Sequence, residues 1–550
     1  LKKSSGSKTA AKLLVECLEN EGVQYIFGLP GEENLAVMEA LKDSKIRFIL
    51  TRHEQGAAFM ADVYGRLTGQ AGVCLATLGP GATNLVTGVA DANSDGAPLV
   101  AITGQVGTER MHITSHQFLD LTKIFEPITK RTKLVLRPDT INEIVRLAFK
   151  YAQGERPGAT HIDLPVDIAK LPAPENEAPL LKVMETNTGK AELASIEKAA
   201  GEIFRAKCPV ILAGNEAIRK NSAKAITKFA ESLNIPVINS MMAKGVIPAD
   251  SSCYLMTIGI PNRDYANLIL EKADLVIAIG YDIVEYAPIK WNKNPAHKII
   301  HVSNSQAHIN KYYQCEVQVV GDITDSLRKI AHRSTVRELP QELFAIKEKF
   351  LQAYHEDIAV DQFPLKPQRA IAAVRKILGR EDILLSDVGA HKMWIARHYD
   401  CYNPNTCIIS NGFATMGIGL PGAIAAKLVH PEKKVLTITG DGGFMMNAQE
   451  LETAARLKLN IVVLVFNDSG YGLIRWKQMD QYHETCFVDF DNIDYVKLAE
   501  AMNCIGYKIN QAEDLLPTLE SSFTKNVPVV IDLPIDYSEN EKLSQYLKNI

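Results

Sequence analysis

Short, continuously apolar runs rich in β-branched residues recur along the chain: YIFGLP, RFILT, GVCLAT, PLVAITG, VILAG, LVIAIG, KIIHVS, KVLTITG and IVVLVF. Amphipathic stretches of helical length separate them. A strand apolar on both faces must be covered on both, so the pattern demands parallel sheets flanked by helices. The fold class is therefore α/β. The 550 residues allow about three such domains. Two Pro-rich or charged stretches, 170–192 and 334–368, read as linkers and divide the chain into 1–170, 190–333 and 366–537. The outer segments share an ending, HIDLPVDIAK and VIDLPIDYSE, with Asp163 and Asp532 in matching places. A duplicated domain with a different one inserted between its copies is expected.

Composition narrows the function. A formal net charge of -4 with 23% charged residues gives no basic face for nucleic acid. The longest apolar runs, such as IVVLVF at 461–466, are too short to span a bilayer, so no membrane partner is expected. The N-terminal LKKSSGSKTAAK lacks the apolar core of a secretory signal. Nine scattered cysteines without a C-x-x-C pair fit reduced thiols in a cytoplasmic protein better than a metal cage or disulfide framework.

One carboxylate stands out. The run KKVLTI leads into TGDGGFMMNAQ (439–449), which sets Asp441 between glycines. A helical pattern, NAQELETAARLKL, follows; then come the strand NIVVLVF and the turn NDSGYG (467–472). In a parallel sheet both loops fall at the carboxyl ends of strands joined by one helix, the edge where such sheets bind ligands. Neighbouring strands lie about 4.8 Å apart, so the loops can share one cation. Mg²⁺ is usually held by one or two carboxylates together with phosphate oxygens and water. Gly440, Gly442 and Gly443 let backbone N–H groups approach such phosphates at a helix N-terminus. Taken alone, GDGG fits equally well a turn in which Asp441 only caps a helix. The second loop favours the metal.

A Gly-Asp-Gly followed some 25 residues later by an Asn/Asp-rich turn resembles the thiamine diphosphate motif of the pyruvate decarboxylase and acetolactate synthase family. Three domains, the outer two with like ends, fit that family's order: pyrimidine-binding, central and diphosphate-binding. Alignment on the following Gly-Tyr puts the second metal ligand at Asp468 rather than Asn467, with the Gly470 carbonyl as a third. The resemblance also implies a glutamate from the first domain that bonds the aminopyrimidine and promotes its imino form. TRHEQGAAFMADVYGR (51–66) matches it at Glu54.

Other loops carry over in the same way. FGLPGEEN and LGPGATN imply pyrimidine contacts at Gly31, Pro80 and Asn84. SNGFATMGIGLPGA implies that the Ala414 carbonyl accepts the 4′-amino group and that Met416 wedges the cofactor into its bent form. DVGAHKMW implies diphosphate contacts from Gly389, Ala390 and His391, and Gly442, Gly443 and Tyr471 join the cofactor set. GIGLPG (417–422) also satisfies G-x-G-x-x-G, but no apolar strand precedes it and Pro421 sits in the turn, so a nicotinamide site is not expected.

Within the family the acetolactate synthases are most similar. GPGATNLVTGVADANSDGAPLVAITGQV and HQFLDLTKIFEPITK read as that branch, the latter with a catalytic Gln at Gln117. The implied reaction decarboxylates one pyruvate and ligates the remainder to a second, giving 2-acetolactate and CO₂. A pyruvate oxidase and a simple 2-oxoacid decarboxylase are the alternatives. Tyr281 and Asp282 stand where flavin-binding members carry an Arg, so FAD is not expected. Trp476 falls one residue before the position linked to 2-ketobutyrate preference. The family builds its sites between chains, which implies a homodimer or a homotetramer. A regulatory subunit is neither implied nor excluded.

Overall fold

The computed structural model describes residues 8–174, 179–183, 189–260, 264–293, 297–358, 362–540 and 543. Three six-stranded, wholly parallel sheets organise the chain. The first holds β1 (Tyr25–Gly28), β2 (Arg47–Leu50), β3 (Gly72–Ala76), β4 (Leu99–Gln105), β5 (Arg131–Leu134) and β6 (Ala159–Pro165), in the order β2-β1-β3-β4-β6-β5. The second holds β7 (Pro209–Ala213), β8 (Val237–Ser240), β9 (Tyr254–Ile258), β10 (Leu275–Ile279), β11 (Lys298–Ser303) and β12 (Val317–Val320), in the order β12-β11-β10-β7-β8-β9. The third holds β13 (Ile383–Ser386), β14 (Cys407–Ile409), β15 (Val435–Gly440), β16 (Val462–Asn467), β17 (Ile505–Lys508) and β18 (Val529–Pro534), in the order β14-β13-β15-β16-β18-β17.

Counted from its own first strand, the third sheet repeats the first: 2-1-3-4-6-5 in both. Asp163 on β6 pairs with Thr103 and Leu134; Asp532 on β18 pairs with Val465 and Lys508, the corresponding places. The shared DLP ending is thus the same strand of a repeated topology. The middle sheet runs 3-2-1-4-5-6 when read from its other edge, the doubly wound order of dinucleotide-binding folds.

All nine apolar runs read from the sequence lie on strands. The edge strand β5 (RTKL), mostly half-exposed, carries no such run. Two expectations need correction. The stretch 334–368, read as a linker, contains the helix Gln341–Ile358, whose Leu343, Ile346 and Phe350 pack into the core of the middle sheet. Its charges occupy the other helical positions, which hid the apolar stripe. The stretch NAQELETAARLKL is not one helix. A helix already begins on Asp441 and ends at Asn447, and a second runs Glu450–Arg456. The described part of 170–192 is irregular beyond the end of the helix Val166–Lys170; residues 175–178 and 184–188 of that stretch lie outside the described residues.

The chain groups into two compact units: Leu1–Thr186 with Ile424–Val429 and Asn447–Leu457, and Asn187–Ala423 with His430–Met446 and Lys458–Ile550. In the first, the helix Glu54–Thr68 is tied to the helix Pro80–Asp95 by a buried guanidinium. Arg66 meets Asp62 at 2.7 Å, Asp91 at 2.9 Å and Asp95 at 2.8 Å. Removing one partner of a buried ion cluster typically costs about 3–5 kcal/mol. Arg66→Ala is therefore expected to lower the unfolding free energy of this unit by that order, read from denaturant unfolding, and a denaturant midpoint like that of wild type would refute the cluster's structural role. Among the described residues no helix is long and apolar enough to cross a membrane.

Candidate active site

The first unit gathers one group of the residues expected at the site. Glu54 is the first residue of its helix, capped by His53, whose Nδ1 accepts from the Gln55 N–H. The side chain of Glu54 is buried, and its Oε2 accepts from Asn84 Nδ2 at 2.9 Å. Asn84 lies in the first turns of the helix Pro80–Asp95, where Pro80 takes the first position and its missing N–H costs nothing. Gly79, with φ +54°, precedes it, and a Cβ there would fall 2.9 Å from Gln117 Cβ. The glycine thus lets the loop bearing Gln117 close onto LGPG; Gln117 itself is exposed and has φ +56°. Gly31 caps a short 3-10 turn, its N–H bonded to Asn34 Oδ1 at 2.9 Å, and it abuts Thr77. Glu54, Asn84, Pro80 and Gln117 are thereby joined through one pair of loops.

The second unit contains a cleft of about 190 Å³ at the carboxyl ends of β13, β15 and β16. Gly389, Ala390 and His391 line it after β13; Ala414 and Met416 come from the loop after β14. Asp441, Gly442 and Gly443 line it after β15, and Asp468, Gly470 and Tyr471 after β16. Pairing of Gly440 with Phe466 sets the last two loops side by side. Asp441 Oδ1 accepts from the Gly442 N–H at 2.8 Å and Oδ2 from the Gly470 N–H at 3.3 Å, so the loops are stitched through this carboxylate.

Asp468 and Asn467 part ways. Asn467 is turned aside, its Nδ2 donating to Asp532 Oδ1 at 2.8 Å while its Oδ1 accepts from Asn492. Asp468 faces the cleft, where Arg475 Nη1 holds its Oδ2 at 2.6 Å. Burial, followed by the nearby Asp441 charge, pushes the Asp468 carboxyl up to about 7. Two carboxylates lining one cleft, Asp441 and Asp468, are oxygen donors of the kind that suit a hard divalent cation. The same cleft has a side chain suited to a phosphate. His391 Nε2 is buried without a partner in the protein, and burial pulls the ring down to about 4, so it is neutral at physiological pH. Ala414 adopts φ +60°, an uncommon conformation for a residue with a Cβ.

Three contributors escaped the sequence reading. Tyr537 lines the cleft, and its buried hydroxyl lies beside the His391 backbone without closing a hydrogen bond of normal geometry. Buried Asp387 accepts from the Gly417 N–H at 2.9 Å, the Gly419 N–H at 3.3 Å and Thr439 Oγ1 at 3.0 Å, tying the Met416 loop to β15. Asn492 donates to Asp441 Oδ2 at 3.1 Å. Asp387 opens the DVGAHKMW motif without a role of its own there, Tyr537 stands in the strand end DYSE, and Asn492 belongs to no motif.

Comparison with known proteins places the chain. Residues 8–125 match the N-terminal TPP binding domain of thiamine pyrophosphate enzymes, 196–330 their central domain and 387–533 their C-terminal TPP binding domain. The chain is 37% identical to the acetolactate synthase of Bacillus subtilis, across 98% of this chain and 96% of that one. The chain belongs to the acetolactate synthase family. Its identity to the catabolic acetolactate synthase of Raoultella terrigena is 35%, covering 97% and 96% of the two chains. To a probable acetolactate synthase large subunit of Methanocaldococcus jannaschii it is also 35%, covering 96% and 92%. This acetolactate synthase family member is a thiamine-diphosphate-dependent carboligase.

Proposed function

We propose that the protein condenses two molecules of pyruvate to 2-acetolactate and CO₂, using thiamine diphosphate and Mg²⁺. The observation that carries this reading is the end-to-end match to acetolactate synthases. The cofactor supplies the electron sink for decarboxylation. Asp441, Asp468 and the Gly470 carbonyl would hold the metal. Gly389, Ala390, His391, Gly442 and Gly443 would cradle the diphosphate, with Tyr471 closing one side; a Cβ on Gly442 would lie 2.7 Å from that ring. Met416 would support the thiazolium ring and the Ala414 carbonyl would accept the 4′-amino group. Glu54, held by Asn84, would bond the pyrimidine and manage its proton, with Gly31 and Pro80 beside the ring. Gln117 would face the substrate. Family sites use the glutamate loop of one chain with the metal loop of another, so the working form would be a homodimer or homotetramer. Relatives named large subunits keep a regulatory partner open.

The proposed reaction needs no flavin, and the middle domain supports that reading. A dinucleotide there would need backbone N–H groups at the carboxyl edge of its sheet. The Asn215 N–H is taken by both Glu285 oxygens, at 2.9 and 3.0 Å, and the Asn304 N–H by Glu216 Oε1 at 2.9 Å. Tyr281 is buried among Trp291 and Tyr313, and Trp291 Nε1 donates to its hydroxyl at 3.1 Å. Asp282 sits beside it, its carboxylate accepting from the Val284 N–H. Pro261 and Asn262 of the GIPN turn lie outside the described residues. Trp476 packs against the core of the third sheet, which argues against its shaping a 2-ketobutyrate pocket.

Product analysis tests both points. Enzyme stripped of cofactors and resupplied with thiamine diphosphate and Mg²⁺ alone is expected to convert pyruvate to acetolactate, seen as acetoin after acid treatment. Acetaldehyde or acetyl phosphate as the sole product would overturn the synthase reading. Turnover only after FAD is added would overturn the account of the middle domain.

A further inference from the structure

Four residues around Glu54 (Leu50, Arg52, His53 and Gln55) are gripped by one distant segment of the same unit, Asn447–Leu457. Arg456 Nη2 donates to the Leu50 carbonyl at 2.5 Å, at the end of β2. Glu450 Oε1 accepts from the backbone N–H groups of Arg52 and His53, each at 3.0 Å. Asn447 Nδ2 donates to Gln55 Oε1 at 3.0 Å. Glu450 is the centre of this grip. It is fully buried, and its other oxygen accepts from Thr453 Oγ1 at 2.6 Å. Gly56 makes room for it, since a Cβ there would lie 2.7 Å from Glu450 Oε1.

We propose that Glu450 is a positioning residue, whose carboxylate fixes the backbone entering the helix Glu54–Thr68 and so aims the side chain of Glu54. The argument is geometric. The Arg52 and His53 N–H groups precede the first helical turn and have no helical carbonyl to bond. Glu450 satisfies both with one oxygen, which sets the direction in which the next residue leaves the chain. Burial pushes the carboxyl up to about 7, so the site bears a real desolvation cost that these three donors offset. Asn84 then fixes the far end of Glu54. A misplacement near 1 Å of a reacting group can cost about 10²-fold in rate.

The inference rests on the reading of Glu54 as the group that activates the cofactor. Its test follows deuterium exchange at the thiazolium C2 position of the holoenzyme by quenched NMR, alongside cofactor affinity by calorimetry. Glu450→Ala is expected to slow that exchange by about 10–10²-fold while affinity stays within about threefold of wild type. Without cofactor, backbone amides of residues 50–57 should exchange faster. Glu450→Gln keeps an oxygen for the two N–H groups and an amide for Thr453, and should recover most of the rate. Gly56→Ala gives an independent route: alanine favours the helix by up to about 1 kcal/mol, yet its methyl displaces the carboxylate, so a folded protein with slowed exchange is expected. Wild-type exchange in both Glu450→Ala and Gly56→Ala would overturn the proposal, as would a Glu450→Gln variant as slow as the alanine one. If Glu54→Gln itself leaves exchange unchanged, the failure lies with Glu54; if it slows exchange and Glu450→Ala does not, only the positioning role fails.

Discussion

Glu54→Gln is expected to lower acetolactate formation by roughly 10²–10⁴-fold, the range that a positioned acid or base contributes, with thiamine diphosphate affinity held within a few-fold. The substitution is close to isosteric. Its amide oxygen can still accept from Asn84 Nδ2, which now bonds Glu54 Oε2 at 2.9 Å, so the local arrangement should survive. What is lost is a carboxyl that can both give and take a proton, and no other acid shares its contact with Asn84 among the described residues. Steady-state product formation and a parallel binding isotherm measure the two effects separately. Activity within threefold of wild type would remove Glu54 from the mechanism. A joint collapse of binding and activity would instead make it a binding residue.

The fold was legible because its strands are buried on both faces. Such strands must be apolar throughout, and all nine runs read that way lie on strands. Strands less uniformly apolar or lying at an edge, such as β5 and β17, carry mixed residues and gave no run. The long helix Gln341–Ile358 was hidden for a related reason: its apolar positions are spaced on one side and the intervening charges dominate the composition.

The site was legible where chemistry demands a fixed local pattern, and dark where it depends on distant chain. Asp441 and Asp468 stand in short motifs, and the sheet does bring their loops to adjacent strands. Asp387, Asn492 and Tyr537 act across 30 or more residues, on partners that their own local sequence does not name. Glu450 is the extreme case. It bonds backbone N–H groups 397 and 398 residues away, and any side chain with an acceptor would look equally suitable in sequence. Its glycine partner, Gly56, reads in sequence as a weak point in a helix. Only the packed structure shows that the missing methyl is the space the carboxylate fills.

The proposed metal ligands supply the other large effect. Asp441→Ala is expected to weaken Mg²⁺-dependent binding of thiamine diphosphate by more than about 10²-fold, since even partners in the outer shell of a metal are worth 10–100-fold. Asp441 also accepts from the Gly442 and Gly470 N–H groups, so its loss would loosen both loops. The harder question is which neighbour completes the pair. Asn467 is bonded to Asp532 and Asn492 and lies off the cleft, whereas Asp468 lines it and offers Oδ1 while Arg475 holds Oδ2. Asp468→Ala should therefore cost at least about tenfold in the same binding measurement, while Asn467→Ala should change it by less than about threefold and act on thermal stability instead. Titrating Mg²⁺ against each variant at fixed cofactor concentration reads the difference directly. The reverse ranking would mean that the strand end turns by one residue when the metal binds, moving the Asn467 side chain out of its bond to Asp532 and into the cleft.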